Sequence, residues 1–229
     1  MYKKSAWAFD ESVAPVFDTH VRQSIPAYEW IQESVVHMTD FFFSQKAVVV
    51  DLGSGTGETL TKIASRHTMK ELSLIGVDQS REMICEAVRK GGGSPVYQWV
   101  PDKLQDYVFP AKVDVVISIL TLQFLEPEER QEVINRAYRS LKKGGALFFV
   151  EKVLSDSGRI QDVFTQVYHD QKEKAGLSPD EIRRKDESIR GVMRPFTIQE
   201  NEDILKEAGF TQIELFMKHF QFTGFLAVK

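Results

Sequence analysis

The sequence predicts an α/β protein built on a mostly parallel, doubly wound sheet, and three observations carry that reading. Between Lys46 and Val150, short β-branched runs alternate with helix-compatible stretches. The first run, Ala47-Val48-Val49-Val50-Asp51, empties into the glycine-rich stretch Gly53-Ser54-Gly55-Thr56-Gly57. A second run, Leu72 to Asp78, again ends on an acid ahead of a helix, so the strand–loop–helix unit repeats.

Taken in order, the chain begins with a preface that mixes aromatics and acids from Phe9 to Phe43 and carries Pro15 and Pro26. Short helices broken near those prolines are expected, and residues 1–45 read as an N-terminal helical cap. After the glycine stretch a helix runs through Ala64. Ser80 is placed to cap the next one, which turns Met83, Ile84, Ala87 and Val88 to one face. Val96 to Val100, Val113 to Ile119 and Ala146 to Val150 read as strands, with a helix from Pro127 to Leu141. Beyond Glu151 the alternation stops. Arg159 to Ala175, Ser178 to Arg190 and Thr197 to Ala208 read as helices of an insertion, residues 152–209, that contributes to the substrate pocket. Gly209 sits where a helix-terminating glycine belongs. Gln212 to Met217 and Phe220 to Val228 close the chain as an antiparallel hairpin. One domain, residues 1–229, therefore holds a seven-stranded sheet with an antiparallel last strand, which suits the Rossmann-like class I methyltransferase fold better than a plain dinucleotide-binding one.

Composition narrows the classes. At 229 residues, one elaborated domain is the economical reading. A hydrophobic share of 42% with only 14 Gly and 8 Pro supports a sizeable core and excludes disordered and collagen-like chains. The single cysteine, Cys85, permits no internal disulfide, and no Cys/His cluster has zinc spacing, so no metal is expected. Val113 to Leu125 is interrupted by Asp114, Ser118, Thr121 and Gln123 and falls short of a spanning helix. A cytoplasmic protein without membrane contact is expected. Twenty-nine basic against 33 acidic residues, a net charge of −4, argues against direct nucleic-acid binding led by phosphate contacts.

The glycine stretch is the first candidate site. Its glycines open backbone angles closed to other residues and let a ligand lie against the main chain at a helix N-terminus. The spacing is Gly-x-Gly-x-Gly, without the Gly-x-Gly-x-x-Gly of a dinucleotide site and without the following Lys-Ser/Thr of a nucleotide loop. Asp51 at the strand end would repel a pyrophosphate but attract an ammonium. Asp78, ending the next strand, suits a ribose, and Asp102, after the third, suits an adenine amino group. S-adenosylmethionine has all three features, so the loop with its acids in order points to that cofactor.

A wider set of residues resembles one family. Trp7-Ala8-Phe9-Asp10-Glu11, Arg22-Gln23-Ser24-Ile25-Pro26-Ala27-Tyr28, Asp51-Leu52-Gly53, Thr121-Leu122-Gln123-Phe124-Leu125-Glu126-Pro127 and Gly144-Gly145-Ala146-Leu147 resemble the carboxy-S-adenosylmethionine synthases. The likeness continues through Tyr168-His169-Asp170 and Glu207-Ala208-Gly209-Phe210, so it covers nearly the whole chain. It implies a homodimer that converts S-adenosylmethionine and prephenate into carboxy-S-adenosylmethionine for a wobble-uridine modification in tRNA. It also implies that Tyr28 meets the methionine end of the cofactor, that Gly53, Ser54 and Gly55 line its backbone, that Asp78 and Gln79 take the ribose, and that Asp102 and Lys103 flank adenine.

Two departures stand out. The family's asparagine on the fourth strand matches Ile119, and the arginine that clamps the extra carboxylate matches Asp186. A carboxylate there would repel another by about 4 kcal/mol at about 4 Å if the effective ε is near 20. Arg190, four residues on and on the same helix face, is the expected rescue, or else a salt-bridge partner of Asp186. His169 and Glu151 are the candidate bases if a base is used. The expected function is thus S-adenosylmethionine-dependent methyl transfer to a small-molecule acceptor, with the synthase activity as the alternative.

Overall fold

The computed structural model describes residues 14–229; the expected Trp7-Ala8-Phe9-Asp10-Glu11 motif lies outside them. Pro15 sits in a short 3-10 turn ahead of α1 (Phe17–Ser24), and Pro26 separates α1 from α2 (Tyr28–Met38). The break expected near Pro26 is therefore present, while Pro15 lies in the turn that leads directly into α1. Then follow β1 (Lys46–Leu52), α3 (Glu58–Arg66), β2 (Glu71–Asp78), α4 (Arg81–Gly91), β3 (Tyr97–Pro101) and β4 (Val113–Ile119). The remainder comprises α5 (Pro127–Ser140), β5 (Leu141–Leu154), α6 (Gly158–Lys174), α7 (Pro179–Ile189), β6 (Phe196–Thr197), α8 (Ile198–Ala208), β7 (Gln212–His219) and β8 (Phe222–Val228).

The sheet order is β3-β2-β1-β4-β5-β8-β7, with β1 to β5 parallel and β8 antiparallel to both β5 and β7. This is the Rossmann-like methyltransferase arrangement. The order reverses between β1 and β4, and open sheets of this kind bind ligands in the crevice at such a reversal, outside the carboxyl ends of the strands. Because side chains alternate along each strand, Val49, Leu74, Ile117 and Phe148 face α2 and α3 through Val35, Leu60 and Ile63. Val50, Leu52, Val116, Phe149 and Phe225 face α5 and α8 through Val133, Ile134 and Leu205. Both layers consist of buried apolar side chains, and truncating one of these phenylalanines to Ala is expected to cost about 3–5 kcal/mol.

Local caps fix the helix starts. The Ser80 hydroxyl accepts the Met83 N–H at α4, and capping boxes open α7 at Ser178/Glu181 and α8 at Thr197/Glu200. Gly209 ends α8 with φ of 115°. Two features differ from expectation. β5 spans Leu141–Leu154 rather than Ala146 to Val150, because Leu141 already pairs with Val113 across a bulge at Gly144-Gly145 and β8 pairs as far as Lys152. The two-residue β6 adds an eighth strand beside the end of β5, with Val153 opposite Phe196. Among the described residues no helix is long and apolar enough to cross a membrane.

Candidate active site

The glycine loop leaves β1 and turns back at the N-terminus of α3. Gly53, Gly55 and Gly57 all have positive φ, at 72°, 54° and 77°. At Gly53 a Cβ would lie 2.3 Å from Thr121 Oγ1, and at Gly57 2.3 Å from the Trp99 ring, so neither position has room for a side chain. The loop is pinned from below: Gly53 and Ser54 N–H groups donate to Val77 O, and Gly55 N–H donates to Asp78 Oδ2 at 2.9 Å.

The two strand-end acids sit where the sequence places them. Asp51 is 3% exposed and lines the cavity, and burial, with the charge of Asp78 second, pushes its carboxyl up to about 7. Burial raises Asp78 as well, opposed by the N–H groups of Ser80 and Gly55 that its carboxylate accepts. Such a pair favours a cationic ligand, which would restore both charges. The Tyr28 hydroxyl is buried over the same space and pushed up by burial, then by Glu58 and Asp51. Ser54 Oγ is buried with no hydrogen-bond partner. An orphaned hydroxyl, a side-chain-free cradle and two acids fit the amino acid and ribose ends of S-adenosylmethionine.

Gln79 lines the cavity too, but the loop after β3 reaches it through Leu104 and Gln105 rather than through Asp102 or Lys103. Asp102 instead donates its N–H to Asp78 O and accepts the Lys103 N–H, holding that loop against β2. Ile119 lines the cavity, so the departure from asparagine falls at the site itself. Leu120 follows it with φ of 57°, and its N–H is held by Val150 O at 2.7 Å. A bulky residue in that conformation is strained, as chains at ligand sites often are.

The three candidate catalytic residues are not brought to one place. Glu151 is 1% exposed on β5, where its two oxygens accept the Leu122 and Gln123 N–H groups at 3.0 and 2.8 Å. Burial pushes it up to about 8. It holds the β4–α5 connection, and with it Thr121 against Gly53, and does not line the cavity. His169 turns to Asp186, with Nε2 2.9 Å from Oδ2. Arg190 lies past the end of α7, in an outer depression shared with His169, Glu173 and Asp186. The sequence-predicted pair of Arg190 with Asp186 is replaced by His169 and by Lys172, whose Nζ is 3.5 Å from Oδ1.

Asp186 on α7, singled out in the sequence, and Tyr168 on α6 line the same cavity, together with residues given no role there: His20 from α1, Lys152 from β5, Lys172 from α6 and Lys185 from α7. One signal was available, since Tyr168 and Lys172 are four apart and share a helix face.

Comparison with known proteins agrees with this geometry. Residues 49–145 match the family model described as a methyltransferase domain. Human N-acetylserotonin methyltransferase in complex with S-adenosylmethionine superimposes with a TM-score of 0.63 at 17% identity, covering 96% of this chain and 56% of that one. The fold and site thus define a protein of the S-adenosylmethionine-dependent methyltransferase class. The carboxy-S-adenosyl-L-methionine synthase of Staphylococcus epidermidis is 35% identical over 229 residues, 100% of this chain and 99% of that protein. The synthase of Nautilia profundicola is 33% identical over 96% of this chain and 94% of its own length. The chain belongs to the carboxy-S-adenosyl-L-methionine synthase family, an enzyme family that uses S-adenosylmethionine.

Proposed function

We propose that this enzyme makes carboxy-S-adenosylmethionine from S-adenosylmethionine and prephenate. The observation that carries the reading is which parts of the cavity the likeness spans. The methyltransferase-domain match, residues 49–145, contains the glycine loop and Asp78 but none of the opposite wall. The full-length likeness includes α1, α2, α6 and α7, which build that wall. The likeness to the synthases thus covers both the wall that faces the cofactor and the wall that faces its reaction partner.

S-adenosylmethionine supplies the activated, sulfonium-bound carbon. The chain supplies position and dryness: Tyr28, Asp51, Gly53, Ser54, Gly55, Asp78 and Gln79 hold the cofactor, and the Asp102-Lys103 loop presents Leu104 and Gln105 beside it. Glu151 positions the Thr121–Gln123 connection and His169 positions Asp186, so neither is assigned a proton transfer. The second reading, ordinary methyl transfer to a small-molecule acceptor, is favoured by Asp186 and Ile119 standing where the family has arginine and asparagine. Against it, Asp186 does not face the cavity unopposed, being paired with His169 and Lys172. Mass spectrometry of the purified protein's ligand, with prephenate supplied during expression, tests the choice. A species heavier than S-adenosylmethionine by one carboxylate is expected; S-adenosylmethionine alone, with no prephenate consumed, would overturn the synthase reading.

The same reading makes the protein a cytoplasmic homodimer whose product, rather than the protein itself, serves tRNA. An exposed unpaired Cys85 supports a reducing compartment. Exposed Leu154, Ile160 and Val163, where β5 passes into α6, support a contact between copies, which light scattering would read.

A further inference from the structure

Among the described residues five carboxylates line the cavity: Asp18, Asp51, Glu58 and Asp78 around the glycine loop, and Asp186 on α7. Three of them are answered by the chain itself. Asp18 accepts from the Thr56 hydroxyl and pairs with Lys90, the two oxygens of Asp78 accept the Ser80 and Gly55 N–H groups, and Asp186 pairs with His169 and Lys172. Asp51 is available to the cofactor's ammonium. Glu58, the first residue of α3, is answered on one side only. Its Oε1 meets Arg22 Nη2 from α1 and stands 3.5 Å from Lys62 Nζ on its own helix. Its Oε2 is buried and has no hydrogen-bond partner among the described residues. An acid in the first turn of a helix is ordinary, because the helix dipole favours it there. That role is served in water, however, whereas a buried acceptor left without a donor costs about 1–3 kcal/mol and more when charged. The Tyr28 hydroxyl, pushed up first by burial, is pushed further by Glu58 and then by Asp51, so both carboxylates stand near one point of the cavity. The cavity's own cations are engaged elsewhere: Lys152 and Lys172 lie against the Tyr168 ring, Lys185 interacts with Lys172 and Asp186, and His20 meets the Ser24 hydroxyl.

We propose that Glu58 bridges α1 to the cofactor, its Oε2 accepting the ammonium of S-adenosylmethionine beside Asp51 while its Oε1 holds Arg22. Glu58 then touches the ligand, and Arg22 is a positioning residue that acts through it. The arginine is suited to that part, because its Nε is already held by Glu29 on α2 at 2.8 Å and its fork presents the remaining N–H groups in a fixed direction. A ligand that carries an ammonium completes the hydrogen bonding of Glu58 and steadies α1 over the glycine loop. An adenosine thioether without an amino group leaves Oε2 unanswered, so the pair selects for the amino acid end of the cofactor. Either reaction at the α6 and α7 side of the cavity leaves this contact unchanged.

Calorimetry on the full chain tests this with two thioethers that share an adenosine and a carboxylate. S-adenosylhomocysteine keeps the ammonium, and 5′-S-(3-carboxypropyl)-5′-thioadenosine has hydrogen in its place. Glu58→Gln should weaken the first by roughly tenfold, the loss of one charge-assisted contact, and the second by no more than about twofold. Arg22→Gln should weaken S-adenosylhomocysteine about fivefold, again with little effect on the second ligand, and Arg22→Lys should recover most of that loss. Added to Glu58→Gln, the Arg22→Gln change should cost little more, because the arginine works through the acid. Retained binding of the carboxypropyl ligand shows that each variant is folded; should Glu58→Gln not fold, Glu58→Asp, with its shorter reach, should show the same selective loss. Equal losses for the two ligands would mean that the acid serves α3 alone, and undiminished S-adenosylhomocysteine affinity would mean that Oε2 meets no ligand; either result overturns the bridge. Additive losses in the double variant would overturn the link to α1.

Discussion

Burial brings the Asp51 carboxyl close to neutral pH. In the unliganded protein, burial and the neighbouring Asp78 hold it at about 7, well above its ordinary 3.8. A bound ammonium favours the carboxylate, so the value falls in the complex and binding expels a proton below about pH 7. Affinity for S-adenosylmethionine should therefore climb by up to about tenfold per pH unit to pH 7 and level off above it. Titration calorimetry across that range should show the slope, and Asp51→Asn should flatten it; a slope that survives in the variant would exclude Asp51 as its source. The sign for folding is opposite. The native state keeps a proton that the unfolded chain loses above 3.8, so this group's contribution to stability declines as pH rises towards 7. Asp51 and Asp78 were legible in the sequence because each ends a strand beside a glycine turn, a purely local pattern. Lys152, Lys172 and Lys185 were not, since their meeting depends on how β5, α6 and α7 pack. A lysine that is 3% exposed also defies the rule that lysines stay in water.

At the scale of elements, α1 lies as a bar across the glycine loop. Phe17 approaches Gly55, where a Cβ would stand 3.3 Å from the ring. Asp18 accepts from Thr56 Oγ1 at 2.5 Å and pairs with Lys90 on α4, while Arg22 joins Glu29 on α2 and Glu58 on α3. These pairs are partly exposed, so each contributes about 1 kcal/mol or less. Asp18→Asn should accordingly speed S-adenosylmethionine dissociation about fivefold, with association little altered. Stopped-flow exchange would read this, and an unchanged off-rate would show that α1 does not retain the cofactor. Pro26 foretold where α1 and α2 part, because a missing N–H and a fixed φ act locally. It could not foretell that α1 would be latched to three other helices, since those ion pairs bridge 7 to 72 residues of sequence. The near-tripling of β5, to 14 residues, was hidden for a related reason: only pairing with Val113 and β8 keeps the stretch through Gly144-Gly145 in the sheet.

At the scale of the whole molecule, one buried cation ties the sheet to the insertion. Arg130 on α5 is 0% exposed; its Nε donates to Leu122 O at 3.0 Å and its Nη2 to Arg194 O at 2.7 Å, and it lies 3.9 Å from the centre of the Phe196 ring. It thereby fixes both the connection that Glu151 also holds and the strand β6 that follows α7. Arg130→Met would leave those carbonyls unanswered and is expected to cost about 3 kcal/mol, or roughly 6–12 °C in Tm. Calorimetric melting within about 2 °C of the wild type would deny it that role. The topology has a further consequence for how the protein is made. β8 is made after both of the strands it pairs with, yet it lies between β5 and β7, with β5 facing it as the nascent sheet's unfinished edge. Until Phe222–Val228 has cleared the exit tunnel, β5 exposes an apolar edge of Ala146 to Val150 to the translating cell, so synthesis passes through a stage suited to chaperone capture.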